Sequence, residues 1–143
     1  YRAERHQMKK LFGDWLTETQ GDMIEGAMTL PIMALVSLAL VNFALAGYAS
    51  VTANNAVNYA ARVASVSQNN AAGEALNAAN RALSVGIGDY QVDIQADAHP
   101  GGTVRVSVQW EVPNFFGSLM PLFGAANRPL QGEAVSVFRK EGW

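Results

Sequence analysis

Charged side chains are missing from one long stretch of the chain. No Asp, Glu, Lys, Arg or His occurs in residues 26–61, a run of 36 residues. In its first part, residues 26–47, the clearly polar side chains are Thr29, Ser37 and Asn42. A membrane-spanning helix needs about 20 apolar residues, because the hydrocarbon core is roughly 30 Å thick and a helix rises about 1.5 Å per residue. The pattern predicts a membrane helix over about 26–47; a buried core helix, the alternative, is usually shorter and keeps a polar stripe.

Flanking charge predicts how this helix is oriented. Four basic residues precede it, and the first basic residue after it is Arg62. Because basic residues stay on the cytoplasmic side, the N-terminus is expected inside the cell and the C-terminal body outside. We therefore expect a single-pass protein of the inner or cytoplasmic membrane. A signal-peptide core, about 7–15 residues long, is shorter than this run.

The residues before the uncharged run form a separate segment, 1–25, with a helical pattern. Its apolar residues recur at three- and four-residue spacing, opposite Lys9, Lys10 and Asp14; they are Met8, Leu11, Phe12, Trp15 and Leu16. An amphipathic helix of this kind either lies on the membrane face or packs on protein. The sequence leaves both open.

Helical character continues beyond the predicted span. Residues 48–67 are rich in Ala and Asn and contain neither Gly nor Pro, and small side chains allow neighbouring helices to approach closely. A helix over about 23–67 would be ~65 Å long, so half of it would protrude from the bilayer. Pro31 lacks a backbone N–H and is expected to kink or loosen the helix near its start. The polar residues 68–70 and Gly73 predict its end.

A second, shorter helix and a set of strands follow. Residues 74–84 place Ala75, Leu76, Ala79 and Leu83 on one side of a helix that ends at Gly86 and Gly88. From Asp89 the period becomes two, and two alternating runs, 89–97 and 104–112, flank a Pro-Gly-Gly turn, which predicts a β-hairpin. A third run, 131–139, completes a sheet of about three strands. The predicted fold class is α+β, with segments 1–25, 26–67 (span 26–47, protruding part 48–67) and a small extracellular αβ domain, 68–143.

The composition of the chain excludes several classes of function. The chain has no cysteine, which excludes disulfide scaffolds, thiol nucleophiles and thiolate zinc sites. Its formal net charge of −2 offers no basic surface for nucleic acid. Only 15% of residues are charged, against roughly 25% in a typical soluble domain. Outside 26–61, however, 22 charged residues remain in 107, so the deficit belongs to that run alone.

Candidate catalytic groups are few. Asp89, Asp93 and Asp97 share one face of the first predicted strand but lie roughly 13 Å apart from one to the next, too far for one metal, and are typical of a solvated sheet face. His6 and His99 each lack a second ligand at metal-binding spacing. The glycines at 86 and 88 do not form a phosphate loop, and no Gly-x-Ser-x-Gly motif occurs. We predict a protein that is not an enzyme, with no cofactor, metal or small-molecule substrate.

An apolar segment between the second and third strands, residues 113–124, is named the contact loop. Its large apolar residues either contact a partner or membrane surface or cap the sheet as part of the core, and the second interpretation is favoured. The candidate contact residues are Phe115, Phe116, Leu119, Met120 and Phe123.

Four stretches resemble the TadE-like family of pilus proteins, relatives of type IV pilins. Residues 25–31, Glu-Gly-Ala-Met-Thr-Leu-Pro, resemble the family's glutamate–apolar–Leu-Pro opening, and 54–64 resemble its Asn/Ala-rich continuation with Ala-Ala-Arg. Residues 104–122, a valine-rich strand followed by Val-Pro and an apolar loop, resemble its C-terminal half, as do 132–137. Together these stretches span about residues 22–139.

The resemblance implies a structural subunit, major or minor, of a Tad-type pilus. It implies a membrane-inserted precursor whose apolar helix later packs in the filament core beside other copies or related pilin subunits, with the sheet domain facing outward. We assign five helix residues to assembly: Glu25, Pro31, Asn42, Asn55 and Arg62. The alternative is a single-pass membrane-anchored extracellular binding module that does not polymerise.

Glu25 has a particular role in this prediction. A carboxylate drawn into a bilayer costs about 2.5–3.5 kcal/mol and needs a partner, whereas one at the headgroups is simply solvated. Prepilin peptidase substrates of the family have four residues between Gly and Glu, and here three separate Gly21 from Glu25. An uncleaved subunit would pair Glu25 with a Lys or Arg of a neighbour.

Overall fold

Two helices precede three strands along the chain. The structure, a computed structural model, describes residues 2–67, 69–97, 99, 101–124 and 126–141, and for 2–22, 24, 120, 122 and 123 it describes the backbone alone. The elements are α1 (Arg2–Val66), α2 (Ala71–Leu83), β1 (Asp89–Ala96), β2 (Thr103–Val112), a 3₁₀ helix (Gly117–Phe123) and β3 (Leu130–Arg139). The predicted α+β class is confirmed.

Helix α1 divides between two compact units, Tyr1–Leu38 and Ala39–Trp143. It begins at Arg2, earlier than the predicted start near residue 23, and it continues through Pro31. The side chains of the predicted amphipathic stripe, from Met8 to Leu16, lie outside the described residues.

Two of the polar side chains in residues 26–47, Thr29 and Ser37, make hydrogen bonds inside the helix. The hydroxyl of Thr29 donates to the Glu25 carbonyl at 2.7 Å, and that of Ser37 donates to the Met33 carbonyl at 2.8 Å. Hydroxyl groups bonded to the preceding turn need no water. These residues are therefore compatible with an apolar environment.

From Ala49 onward, one side of α1 is buried against the rest of the C-terminal unit. Its buried apolar residues recur with helical spacing along one side, and all have 0% exposure; they are Ala49, Ala53, Ala56, Val57, Ala60, Ala61 and Ala64. All except Ala49 belong to one core cluster with residues of α2 and with Val104, Val106 and Val108 of β2. Sequence analysis related the small side chains of 48–67 to close approach between neighbouring helices. In the structure the buried alanines of this stretch share a core cluster with Val104, Val106 and Val108 of the chain's own sheet.

Helix α2 begins one turn before the predicted start. Asn70, expected to be part of a break, is its N-cap, and its side chain accepts a hydrogen bond from the Gly73 N–H at 3.1 Å. Ala78, rather than the predicted Leu76, belongs to the buried face; Leu76 is 42% exposed. That face consists of Ala71, Ala75, Ala78, Ala79 and Leu83, and α2 packs against β1.

The strands form an antiparallel sheet in the order β1-β2-β3. Val92, Val108 and Ala134 are paired across it on the face covered by the helices, and Asp89 pairs with Glu111 on the opposite face. The predicted runs 89–97, 104–112 and 131–139 match the observed strands to within one residue. Asp89, Asp93 and Asp97 are all exposed, as expected for a solvated sheet face.

Polar anchors fix the position of α1 on the rest of the C-terminal unit. The Tyr48 hydroxyl donates to the Val85 carbonyl at 3.0 Å. The Ser136 hydroxyl donates to Asn58 Oδ1 at 2.9 Å. The Glu141 N–H donates to the Ser65 carbonyl at 2.9 Å. We call these three contacts the helix anchors; since they are spread along the helix, they oppose both its rotation and its sliding.

The hairpin between β1 and β2 is closed by a carboxylate. The Thr103 N–H donates to Asp97 Oδ2 at 2.8 Å and the Thr103 hydroxyl donates to the same oxygen at 3.1 Å. Gly101 in the turn has φ +80°, which favours glycine. The bonds from Thr103, first from its N–H and then from its hydroxyl, hold the pKa of the Asp97 carboxyl below its ordinary value of 3.8.

This lowered pKa predicts acid-dependent stability of the hairpin. Since the folded state binds the proton more weakly than the unfolded state, the stabilisation is fully present above pH 3.8 and is lost as pH falls through the lower folded-state pKa. We expect the full chain in detergent to have a higher melting temperature than its Asp97→Asn variant at neutral pH, with the difference shrinking at about pH 2.5. Asp89→Asn controls for the loss of one negative charge. A wild-type advantage that persists in acid would contradict the prediction.

Candidate assembly and contact surfaces

The five residues assigned to assembly differ in exposure. Glu25, Pro31, Asn55 and Arg62 are all exposed. Asn42 is buried, with 6% of its surface exposed. Four of the predicted residues are thus accessible on α1, and the fifth is engaged within the chain.

Large apolar side chains are exposed along α1 from Met23 to Phe43, and we call this region the apolar band. Each is between 41% and 76% exposed: Met23, Met28, Leu30, Ile32, Met33, Leu35, Val36, Leu40, Val41 and Phe43. Among the described residues, α1 is the one helix long and apolar enough to cross a membrane, over Glu25–Val66, with a mean hydropathy of 2.1 in its most apolar window, of which 6% is buried. A soluble protein rarely leaves such a contiguous apolar surface uncovered.

Asn42 joins α1 to the contact loop through both ends of its carboxamide. Its Nδ2 donates to Asn114 Oδ1 at 2.7 Å, and its Oδ1 accepts the Phe115 N–H at 3.1 Å. We call this pair of bonds the Asn42 clamp. A buried amide with both its donor and its acceptor satisfied fixes its partner in one position.

Asn114 extends the clamp into the β2–β3 connection, residues 113–129. Its Oδ1 also accepts the Gly117 N–H at 2.7 Å, and its Nδ2 donates to the Arg128 carbonyl at 3.0 Å. Gly117 is buried, and a side chain there would collide with Asn114 and Asn127. Asn114 therefore holds the two ends of the connection together while Asn42 holds the connection on the helix.

Three large apolar residues of the contact loop have described side chains. Phe115 is 46% exposed, and Phe116 and Leu119 are half-buried. None of these three belongs to the core cluster or to the partly buried side chains packed against it. The side chains of Met120 and Phe123 lie outside the described residues. The three described residues thus give no support to the favoured interpretation that the loop caps the sheet.

The described residues form no evident site for catalysis or metal binding. Within them, no three His or acidic side chains lie close enough together to hold a metal ion. The outer face of the sheet has a shallow depression lined by polar and acidic residues, including Asp89, Glu111 and Glu133. These carboxylates are exposed, so the depression is typical of a solvated surface.

Sequence reasoning missed the Asn42 clamp. Asn42 drew attention as a polar residue in an apolar run, but its partners lie 72 and 73 positions further along the chain. The usable signal was a pair of isolated features: an amide among apolar residues and an Asn directly after Val-Pro. Periodicity does not link such distant residues.

Comparison with protein-family models, with curated proteins and with solved structures found no match.

Proposed function

We propose that this protein is a membrane-anchored structural subunit of an extracellular pilus-like filament that polymerises through α1. The observation that supports this proposal is the apolar band, whose large side chains are at least 41% exposed. Lipid would cover the band before assembly, and helices of neighbouring subunits would cover it afterwards. The resemblance to TadE-like proteins points in the same direction.

Contacts between copies would use surfaces that the chain's own sheet leaves free. The alanine face of α1 is occupied within the subunit, since its members have 0% exposure. The other side of the same part of α1 has large side chains that are 45–61% exposed: Tyr48, Val51, Tyr59 and Val66. These side chains are available to neighbouring helices, as are those of the apolar band.

Glu25 lies at the start of the most apolar part of α1 and is exposed. A carboxylate moved from water into an apolar filament interior is strongly destabilised unless a cation pairs with it. We propose that it pairs with a Lys or Arg of a neighbouring subunit. This pairing would fix the axial position of one subunit against the next.

Electron microscopy of sheared surface material tests the proposal in cells that produce the protein. We expect filaments that contain the wild-type chain, and a several-fold loss of filaments with Glu25→Gln at unchanged protein level, because an amide does not replace a paired charge. Glu74→Gln, at an exposed position of α2, is the matched control and should leave filaments unchanged. Wild-type amounts of filament with Glu25→Gln would contradict the role of that carboxylate.

The alternative is a single-pass anchored binding module that does not polymerise. The exposure of Phe115 in the contact loop favours it. Under this alternative the chain is recovered only with the membrane fraction, and sheared material contains no filaments. The same experiment therefore separates the two functions.

A further inference from the structure

The β2–β3 connection contacts α1 at Asn42, at the C-terminal end of the apolar band. Asn42 precedes Gly47, the last residue of the predicted membrane span, by five residues. This is about 7.5 Å along the helix. Around Asn42, the helix exposes Leu40, Val41 and Phe43 by 64%, 48% and 76%. The backbone at Asn114 and Phe115 therefore lies at a level where the rest of the helix surface is apolar.

The connection itself is apolar, with one charge. Residues 113–129 contain Arg128 and no acidic residue. Phe115 and Arg128 are both exposed. A segment that combines aromatic side chains with a single cation suits the boundary between acyl chains and phosphate groups, because rings and cations both favour that layer.

The backbone conformation of the connection excludes a position within the hydrocarbon core of the membrane. The 3₁₀ helix makes short local bonds, such as Leu119 N–H to the Phe116 carbonyl at 3.1 Å. Such a helix leaves backbone groups at its ends unpaired, and irregular backbone exposed to lipid tails is not tolerated. The headgroup layer supplies both water and phosphate for those groups.

We infer that the β2–β3 connection rests in the phospholipid headgroup layer on the side of the membrane that holds the sheet, with Arg128 facing lipid phosphate and the Asn42 clamp setting the level at which α1 enters the bilayer. This rests on the membrane anchoring in the proposed function. It places the end of the hydrocarbon span near Asn42, about one and a half helical turns earlier than the predicted end at residue 47.

Spin labels on the full chain in vesicles of phosphatidylcholine and phosphatidylglycerol test this, because a chain without cysteine accepts one label at one introduced thiol. Three variants are compared: Leu35→Cys in the apolar band, Ser118→Cys in the connection and Val137→Cys on the outer face of the sheet, all exposed positions. Collision rates with oxygen, which enters lipid, and with a nickel chelate, which stays in water, report depth. We expect the oxygen-to-nickel ratio at 118 to exceed that at 137 several-fold and to lie below that at 35.

Each other outcome overturns the inference in a distinguishable way. A ratio at 118 equal to that at 137, with 35 in lipid, refutes headgroup docking and leaves membrane anchoring intact. Nickel access at 35 refutes the anchoring as well. Broadening of the signal at 118 that disappears on dilution with unlabelled chain shows that a second copy, rather than lipid, covers the connection.

The role of Arg128 is tested with the same label. Arg128→Gln in the Ser118→Cys background should lower the oxygen-to-nickel ratio at 118 in these vesicles, because the attraction to phosphate is lost. Arg105→Gln, on the outer face of the sheet, removes the same charge and should leave the ratio unchanged. Equal effects of the two variants would refute the contact between Arg128 and lipid phosphate.

Discussion

Replacing Asn42 by aspartate is expected to destabilise the C-terminal unit by about 3 kcal/mol, although the two side chains have nearly the same shape. The introduced carboxylate cannot donate to Asn114 Oδ1, so two acceptor oxygens would face each other where a 2.7 Å hydrogen bond now exists. Asn114 cannot relieve this by turning its amide, because that would break its bonds to the Gly117 N–H and the Arg128 carbonyl. Thermal unfolding of the full chain in detergent, followed by near-ultraviolet circular dichroism, measures the loss.

The same variant should recover at low pH. Burial disfavours the charged form of the introduced carboxyl, and only its protonated form can donate to Asn114. Its destabilising effect is therefore largest at neutral pH and diminishes in acid, where the group is protonated. Asn55→Asp, at an exposed position of the same helix, is the control and should have little effect. A loss of stability that does not diminish in acid would contradict this account of the clamp.

Enlarging the alanine face of α1 is the second change with a large expected effect. Ala60 has 0% exposure and belongs to the core cluster with Val104, Val106 and Val108. Ala60→Leu adds three carbon atoms where helix and sheet are already in contact, so the helix must move away from the sheet. Overpacking of this kind costs about 1–3 kcal/mol, measured by the same thermal unfolding experiment.

Ala72→Leu is the matched control, since Ala72 is exposed on α2. It makes the same chemical change at a helical position without overpacking, and it should alter stability by less than about 0.5 kcal/mol. If Ala60→Leu were as mild as Ala72→Leu, the tight packing of Ala60 in the core would be refuted. If both were equally severe, helical propensity rather than packing would be responsible.

The elements of the fold were predictable because their signals are local. Alternation of apolar and polar residues identified each strand to within one residue, and the turn at Gly101 identified the hairpin. The helix boundaries were less accurate. Residues 2–22 are charged and were assigned to a separate segment, but no proline separates them from the apolar run, and α1 continues through both. Asn70 serves equally as a break and as a cap.

The sequence did not predict which helices and strands contact each other, because one residue pattern suits several environments. An alanine stripe packs equally well on a neighbouring helix or on a sheet, and only the fold shows that Ala56 and Ala60 face the chain's own valines. Likewise, an isolated Asn42 in an apolar run is consistent with contact between subunits, and the structure joins it to Asn114 instead. Glu25 is exposed, and its proposed partner belongs to another chain.

The helix anchors have a mechanical consequence for any protein held by one helix. A pull along the axis of α1 loads the contacts at Tyr48, Asn58 and Ser65 simultaneously, together with the Asn42 clamp, because all four connect the helix to the same unit. A pull across the axis loads them one after another, starting from the end. The C-terminal unit should therefore resist axial tension, as in a stretched filament or a tethered anchor, far better than it resists peeling of the helix from the sheet.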